Sequence, residues 1–579
     1  MEEIRNTLAG VIKKVFDLNV PVELTRPDEQ FGDYATNVAM QLAGRLKRNP
    51  REIAEELAGA LREELGDQAK EVSVAGPGFI NITLSDEALL ELVTTAPITK
   101  PQTYKGKVIV AEYSDPNPFK VLHAGHLYTS VVGFAISNLL EAAGGEVHRV
   151  NYGGDVGLHV GKTMWAILKE LGGEHPEKLA EVPADSRSEW MAKAYVAGTN
   201  AYEDDETAKA EIVELNKRVY QLIANDDHDS PFAQIYWTCR QWSYDYFNEF
   251  YARIGTPFER FYPESEVAEL GLKTVQEQLE KGVFKQSDGA VVFEGEPYGL
   301  HTRVFINSQG LPTYEAKEVG LIFHKKQDYN FDRSVVITGN EQEQYMAVVL
   351  KAIEQFAPEL VQATTHLTHG LVKLKGGVKM SSRKGNFLRA VDVLEAVHEA
   401  NKMATGREDE TTVLGAIKYS FLKHRIGADI IFDPEESVSL EGNSGPYLQY
   451  AHARARSILA KADPPSRHAE LGSASSDGEY ETPKQVWGDS GSVFDASERS
   501  LARKISEYPE VLEKAVNELM PHHICTYLYE LAQEFNRFYE HNRVIGDPRE
   551  ATRLKLVELY ADILKDGLEL LGIAAPDKM

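Results

Sequence analysis

Between Lys107 and Tyr152 the chain reads strand, helix, strand. "KVIVAEYS" is an apolar run of strand length, "HLYTSVVGFAISNLLEAAGG" has helical spacing and stops at Gly144 and Gly145, and "EVHRVNY" is a second strand. Such an order builds a right-handed βαβ unit of a nucleotide-binding sheet, whose ligands gather at the carboxyl ends of the strands. A polar loop and the stretch "HAGH" occupy that end here, so chemistry is sought there first.

The other residues are too many for one core, and 579 in all implies two to four domains. Residues 1–98 read as a small α/β unit. Its helix "NPREIAEELAGALREEL" starts on the cap residue Asn49 with Pro50 in the first turn, and "GFINITL" follows as a strand. "TTAPITKPQTYKGK" is a linker. From 105 to 405 an α/β pattern runs with an insertion at about 160–290, made of charged helices such as "DDETAKAEIVELNKRVYQLI". "GAVVF", "RVFIN" and "SVVITG" are expected to return the chain to the sheet. After about residue 410 strands are expected to cease, and amphipathic helices over 410–579 indicate a bundle. The polar, Ser- and Gly-rich stretch after Ala462 is expected to be a mobile loop.

With 62 basic against 89 acidic residues the net charge is −27, which argues against indiscriminate nucleic-acid binding but leaves room for a local basic track. Lys373, Lys375, Lys379, Arg383 and Lys384 form one. Only Cys239 and Cys525 are present, so a disulfide framework or thiolate zinc site is not expected. No signal peptide or membrane span is read, and a cytoplasmic protein is expected.

His123 and His126 lie three apart, on one face of a helix's first turn, where unpaired backbone N–H groups favour an anion. Gly125 between them lets a ligand approach the backbone. Two imidazoles donating hydrogen bonds there suit a phosphate that gains charge during reaction. A metal pair is a rival, although no third ligand is evident and zinc needs at least three. Two histidines that only cap the helix are another. The second segment, "KLKGGVKMSSRKGN", places Gly376, Gly377 and Gly385 around Lys379, Ser381 and Ser382. A loop of this composition can close over a leaving pyrophosphate, or be a solvated charged turn.

Together these segments resemble the paired HIGH and KMSKS signatures of class I aminoacyl-tRNA synthetases. "AEYSDPNPFKVLHAGHL" resembles the first catalytic motif of the arginyl-tRNA synthetases. "FGDYATNVAMQLAGRLKRNPREIA" is similar to that family's N-terminal tRNA-binding domain, "GLPTYEAKEVGL" to its substrate helix, and "LEGNSGPYLQYAHARARSIL" to the start of its anticodon-binding bundle. The resemblance implies an α/β fold: a Rossmann-type parallel-sheet catalytic domain with a helical insertion, a small N-terminal α/β domain and a C-terminal α-helical bundle. It implies ATP-dependent activation of L-arginine and transfer to tRNA(Arg), with adenylate formation requiring bound tRNA.

By that resemblance His123 and His126 stabilise the pentacoordinate α-phosphorus and Lys379 holds the departing pyrophosphate. Lys120, Gly125, Gly339, Asn340, Glu341, Met380, Ser381 and Ser382 complete the ATP site. Arginine falls to Glu112, Asn117, Asp155, Tyr314, Glu318 and Gln342, and the tRNA to Tyr447, Tyr450, Arg454 and Arg456. A guanidinium has five donors and a permanent charge, so carboxylates are what its pocket needs. Two positions depart from the family: Glu318 stands where Asp is usual, and Asp115 where Ser is common. Mg2+ should accompany ATP, with no tightly bound cofactor, no protein metal site, no membrane partner and a monomeric chain. Alternatives are a class I synthetase for another amino acid, a non-catalytic tRNA-binding relative, or a nucleotidyltransferase sharing the HxGH motif.

Overall fold

The computed structural model describes residues 1–95, 97–375, 388–462 and 493–579. Lys379, Met380, Ser381 and Ser382 lie outside the described residues, as does the whole stretch after Ala462 expected to be a loop.

The N-terminal unit runs α1 (Glu2–Phe16), β1 (Tyr34–Thr36), α2 (Val38–Leu46), α3 (Pro50–Leu65), β2 (Ala69–Ala75), β3 (Phe79–Leu84) and α4 (Asp86–Thr95). Its strands form an antiparallel sheet in the order β1-β3-β2. Leu8 and Ile12 of α1 and Leu57 and Leu61 of α3 pack on Ile80 and Ile82, giving this unit its own core. Asn49 caps α3, its side-chain oxygen accepting the Arg51 N–H at 2.9 Å.

The central unit follows as β4 (Val108–Glu112), α5 (Ala124–Ala142), β5 (Glu146–Gly153), α6 (Leu158–Leu171), α7 (Arg187–Asp204), α8 (Glu206–Ala224), α9 (Pro231–Ile254), β6 (Arg260–Pro263) and α10 (Glu264–Glu280). Then come β7 (Lys285–Ser287), β8 (Ala290–Phe293), β9 (Arg303–Ile306), α11 (Tyr314–Tyr329), β10 (Arg333–Gly339), α12 (Glu343–Glu354), α13 (Pro358–Ala363) and β11 (Thr364–His369). Five strands pair in the order β11-β10-β4-β5-β6, every neighbour parallel. Helices cover both faces, and the strand residues divide accordingly. Ile109, Ala111, Val335 and Ile337 face one core, while Val110 and Val336 face the other.

Two expectations need correction here. The chain rejoins the parallel sheet inside the expected insertion, at Arg260–Pro263, rather than after it. "GAVVF" and "RVFIN" do not join that sheet at all; they form β8 and β9 of a separate antiparallel sheet with β7. The cause is local. Asp288 and Gly289, at φ 50° and 78°, make a two-residue hairpin turn that sends the strand straight back beside its predecessor.

The C-terminal part comprises β12 (Val372–Leu374), α14 (Ala390–Thr405), α15 (Glu410–Leu422), β13 (Ile430–Phe432), α16 (Pro434–Ser437) and α17 (Gly445–Ala462). It ends with α18 (Ala496–Ile505), α19 (Tyr508–Glu518), α20 (His522–His541) and α21 (Glu550–Leu570). Strands do not cease at residue 410, because β13 pairs in parallel with β12. The helices share a continuous apolar core with α5, so the bundle is built against one face of the catalytic sheet. The N-terminal unit meets the bundle through charge: Arg26 forks onto Glu510 at 2.9 Å, and Arg499 bonds the buried Asp33 at 2.8 Å. Among the described residues no helix is long and apolar enough to cross a membrane.

Helix α5 lies so close to the end of β4 that a Cβ on Gly133 would fall 2.1 Å from the Tyr113 ring, and Tyr113 is fully buried. Gly133→Ala is therefore expected to lower stability by about 1–3 kcal/mol through overpacking, read as a lower denaturation midpoint. An unchanged midpoint would mean that α5 sits further from the strand.

Candidate active site

A cavity of about 790 Å³ opens at the carboxyl ends of β4, β5, β10 and β11. At one side stands the N-terminus of α5. His123 is its N-cap: its Nδ1 accepts the Gly125 N–H at 3.1 Å, and Nδ1 of His126 accepts the His123 N–H at 3.0 Å. The rings stack with centroids 3.7 Å apart. Capping and ligand binding, rival readings of the sequence, thus belong to one geometry. Because each Nδ1 is an acceptor, the proton of each neutral imidazole resides on Nε2 as a donor. Burial lowers the pKa of both, that of His126 well below the usual imidazole range, and His123 and Lys120 push His126 further the same way. The pair offers N–H groups rather than charges at neutral pH.

Gly125 serves this arrangement differently from the sequence-based expectation. A Cβ there would lie 2.8 Å from the His123 ring, so the glycine makes room for the capping imidazole. His369, which the sequence did not single out, ends β11 and is buried, its Nε2 2.6 Å from the hydroxyl of Thr129. That hydroxyl lies 2.8 Å from the Gly125 carbonyl, so the sheet braces the first turn of α5. The one available signal was a histidine closing the strand pattern "TTHLTHG" ten residues before Lys379.

Across the cavity the floor is acidic. Glu112 ends β4, Asp115 and Asn117 lie in the loop after it, Glu264 begins α10, and Tyr314 and Glu318 share a face of α11. Two lysines reach in from α11: Lys325, fully buried, pairs with Glu112, and Lys317 pairs with Glu264 at 2.6 Å. Glu318 is 4% exposed and its Oε1 has no hydrogen-bond partner. Burial, reinforced by Glu112, pushes its carboxyl up to about 8.

The remaining candidates divide. Gly339, Glu341 and Gln342 line the cavity at the end of β10. Asn340 does not; its side chain donates to the Gly427 carbonyl at 3.2 Å. Lys120 stays outside the lining, its ammonium over the Tyr195 ring. Asp155 is the clearest departure from expectation. Its carboxylate is wholly buried, accepts the Ser265 N–H and hydroxyl at 2.9 and 2.6 Å and pairs with Arg240, so it ties the loop after β5 to α9 and α10 instead of facing the cavity. On α17, Arg456 is engaged by Asp562 and Tyr447 by Asn536, whereas Tyr450 is exposed and Arg454 stacks on Tyr539.

The described residues that flank the second signature segment come to the first. Leu388–Ala390 forms backbone hydrogen bonds with Leu122–Ala124, through Ala124 N–H to Leu388 O at 2.8 Å and Ala390 N–H to Leu122 O at 2.9 Å. Lys373 and Leu388 both line the cavity. The described residues on either side of the Lys-Met-Ser-Ser stretch therefore stand beside the imidazole pair. Among the described residues no cluster of three or more His, Cys, Asp or Glu side chains is placed to hold a metal ion.

The five-stranded parallel sheet, with a helix terminus and a carboxylate floor at its carboxyl edge, is the catalytic core of a class I aminoacyl-tRNA synthetase. Known proteins narrow this further. The family description "tRNA synthetases class I (R), catalytic domain" matches residues 89–433, flanked by "Arginyl tRNA synthetase N terminal domain" over 2–84 and "DALR anticodon binding domain" over 448–579. The chain belongs to the arginyl-tRNA synthetase family. Proteins named arginine–tRNA ligase from Phocaeicola vulgatus and Porphyromonas gingivalis are 28% and 29% identical to it, over all of this chain and 99% and 100% of theirs. The arginyl-tRNA synthetase of Thermus thermophilus superposes with a TM-score of 0.77 at 25% identity, both chains covered in full. That of Plasmodium falciparum shares the fold, with a TM-score of 0.79 at 20% identity over 100% of this chain and 99% of its own.

Proposed function

We propose that this chain is an arginine–tRNA ligase that works in two steps in one cavity. In the first, a carboxylate oxygen of L-arginine attacks the α-phosphorus of ATP, supplied as its magnesium complex, and pyrophosphate leaves. In the second, a hydroxyl of the terminal ribose of tRNA(Arg) attacks the acyl carbon of the adenylate and AMP leaves. The observation that carries this reading is the placing of an imidazole-capped helix terminus and a carboxylate floor in the same cavity.

The nucleophile of the first step is already an anion at neutral pH, so no general base is needed. What the site supplies is position and charge. Nε2–H groups of His123 and His126 donate to the oxygens that gain charge at phosphorus, and Lys379 neutralises the pyrophosphate as it departs. Glu112 and Glu318 receive the guanidinium, whose planar donors suit two carboxylates. Gly339 and Glu341 border the nucleoside end, and Gln342 stands on the arginine side. Tyr450 and Arg454 offer an aromatic and basic surface for unstacked anticodon bases, with Tyr447 and Arg456 holding α17 to its neighbours. The buried thiols of Cys239 and Cys525 suit a reducing cytoplasm.

The test is aminoacylation of total tRNA by the purified chain with each standard amino acid separately. Arginine alone is expected to be charged. Charging by another amino acid in its place would overturn the specificity.

A further inference from the structure

Beside the imidazole pair stands a third imidazole that the chemistry proposed above does not use. His369 closes β11 in register with Gly339 of β10 and is buried in the wall of the same cavity. Both of its ring nitrogens are engaged. Nδ1 lies 2.8 Å from the Gly370 carbonyl, and Nε2 lies 2.6 Å from the Thr129 hydroxyl. The ring meets Tyr128 edge-on with centroids 4.7 Å apart. Gly370 is packed tightly in its turn, for a Cβ there would fall 2.4 Å from the Ala428 carbonyl oxygen. The imidazole therefore spans two fixed points, the end of the sheet and the second turn of α5.

Proton counting sets the direction of each bond. A carbonyl only accepts, so Nδ1 carries a proton and donates it to Gly370. The Thr129 hydroxyl has one proton and two acceptors within reach, Nε2 of His369 and the Gly125 carbonyl at 2.8 Å. A neutral ring takes that proton on Nε2. Only a doubly protonated ring would turn the hydroxyl to Gly125, the carbonyl four residues back that helical threonines commonly bond. Burial lowers the His369 pKa and so favours the neutral ring, although the Gly370 carbonyl and Glu341 pull the other way. His369 is thus the opposite tautomer to His123 and His126. With both nitrogens occupied, it has no donor left for a phosphate.

The bond bears on the reaction through the turn it holds. The Gly125 carbonyl belongs to the peptide that joins Gly125 to His126, and Thr129 packs its hydroxyl against it. With that hydroxyl tied to a residue of the sheet, the first turn of α5 cannot rotate against β11 without breaking a buried hydrogen bond. We propose that His369 is a positioning residue for adenylate formation: by accepting the Thr129 hydroxyl it fixes the first turn of α5 and so aims Nε2–H of His126 at the phosphorus. The assignment rests on the proposed function and adds to it a residue that acts only through its neighbours.

The test is ATP–pyrophosphate exchange by the full chain with L-arginine and tRNA(Arg), comparing His369→Phe, Thr129→Val, Thr129→Ser and the double variant His369→Phe/Thr129→Val. Phenylalanine keeps a ring against Tyr128 and valine keeps the branched shape of threonine, so either change removes the bond with little loss of packing. If phenylalanine is not tolerated, Thr129→Val carries the test alone. Each is expected to lower kcat by about 10- to 100-fold, as a small misplacement in a preorganised site does, while KM for ATP and for arginine changes by no more than about twofold. Thr129→Ser keeps the hydroxyl and should react within about twofold of the unmodified rate. Because both residues act through one bond, the double variant should be no slower than the slower single variant. An unmodified kcat in Thr129→Val, a serine variant as slow as the valine one, slowdowns that multiply in the double variant, or a raised KM at unchanged kcat would each overturn the role given to His369 alone. No arginine-dependent exchange by the unmodified chain would overturn the proposed function, and this role with it.

Discussion

Lys325→Met is expected to destabilise the chain by about 3–5 kcal/mol, the cost of stranding a buried charge whose partner has been removed. Lys325 is 0% exposed and its ammonium contacts a Glu112 carboxylate that is 2% exposed, with Glu318 and Asp115 close by. Methionine fills nearly the same volume, so lost packing contributes little. What remains is Glu112 facing two more carboxylates with no cation at hand. The measurement is the denaturant midpoint. Adding Glu112→Gln to Lys325→Met should recover most of the deficit, because a neutral amide no longer needs the ammonium. Arginine binding should not recover, since Glu112 belongs to the floor of its pocket. A single variant that unfolds at the same denaturant concentration as the unmodified chain would mean that the pair is solvated.

The lysines of α11 mark where sequence reasoning reaches its limit. His123 and His126 at a helix start are legible from spacing within one element, whereas Glu112, Tyr314 and Glu318 enter only through the family resemblance. Lys317 and Lys325 in "YEAKEVGLIFHKK" look like solvated helix residues. They are buried because α10 and α11 approach so closely that a Cβ on Gly271 would lie 1.9 Å from the Ala316 carbonyl, and one on Gly320 2.1 Å from the Val267 carbonyl. Their partners come from Glu112 and Glu264, which lie more than fifty residues earlier in the chain, and periodicity in a single sequence cannot register that. Asp155 errs the other way: the family resemblance places it at the arginine site, and Ser265 and Arg240 use it instead. The hairpin of β7 and β8 was legible, since Asp-Gly before an apolar run is a turn signal that the expectation of a continuing sheet overrode. β13 was not, because three residues are too few to show alternation.

His126→Ala is expected to slow adenylate formation by about 100- to 1000-fold, the usual consequence of removing one preorganised donor to a developing charge. Its imidazole has two tasks under the proposed function: Nδ1 accepts the His123 N–H, which leaves the proton on Nε2, the donor proposed for the phosphate. Alanine removes both, and the lost cap adds about 1 kcal/mol of instability. Asparagine separates them, for its oxygen can accept the backbone N–H although its short side chain cannot reach the phosphorus. His126→Asn should therefore unfold close to the unmodified midpoint while reacting as slowly as the alanine variant in ATP–pyrophosphate exchange with tRNA present. The proton also fixes the pH dependence. Burial lowers the His126 pKa well below the unfolded imidazole's usual ~6.5, so the native chain binds fewer protons than the unfolded one. The stability this imidazole contributes is present above that value and declines as the pH falls below it, while the donor stays neutral and the exchange rate shows no step near pH 6.5 from this group. A His126→Asn chain that exchanged pyrophosphate at the unmodified rate would reduce the imidazole pair to a helix cap.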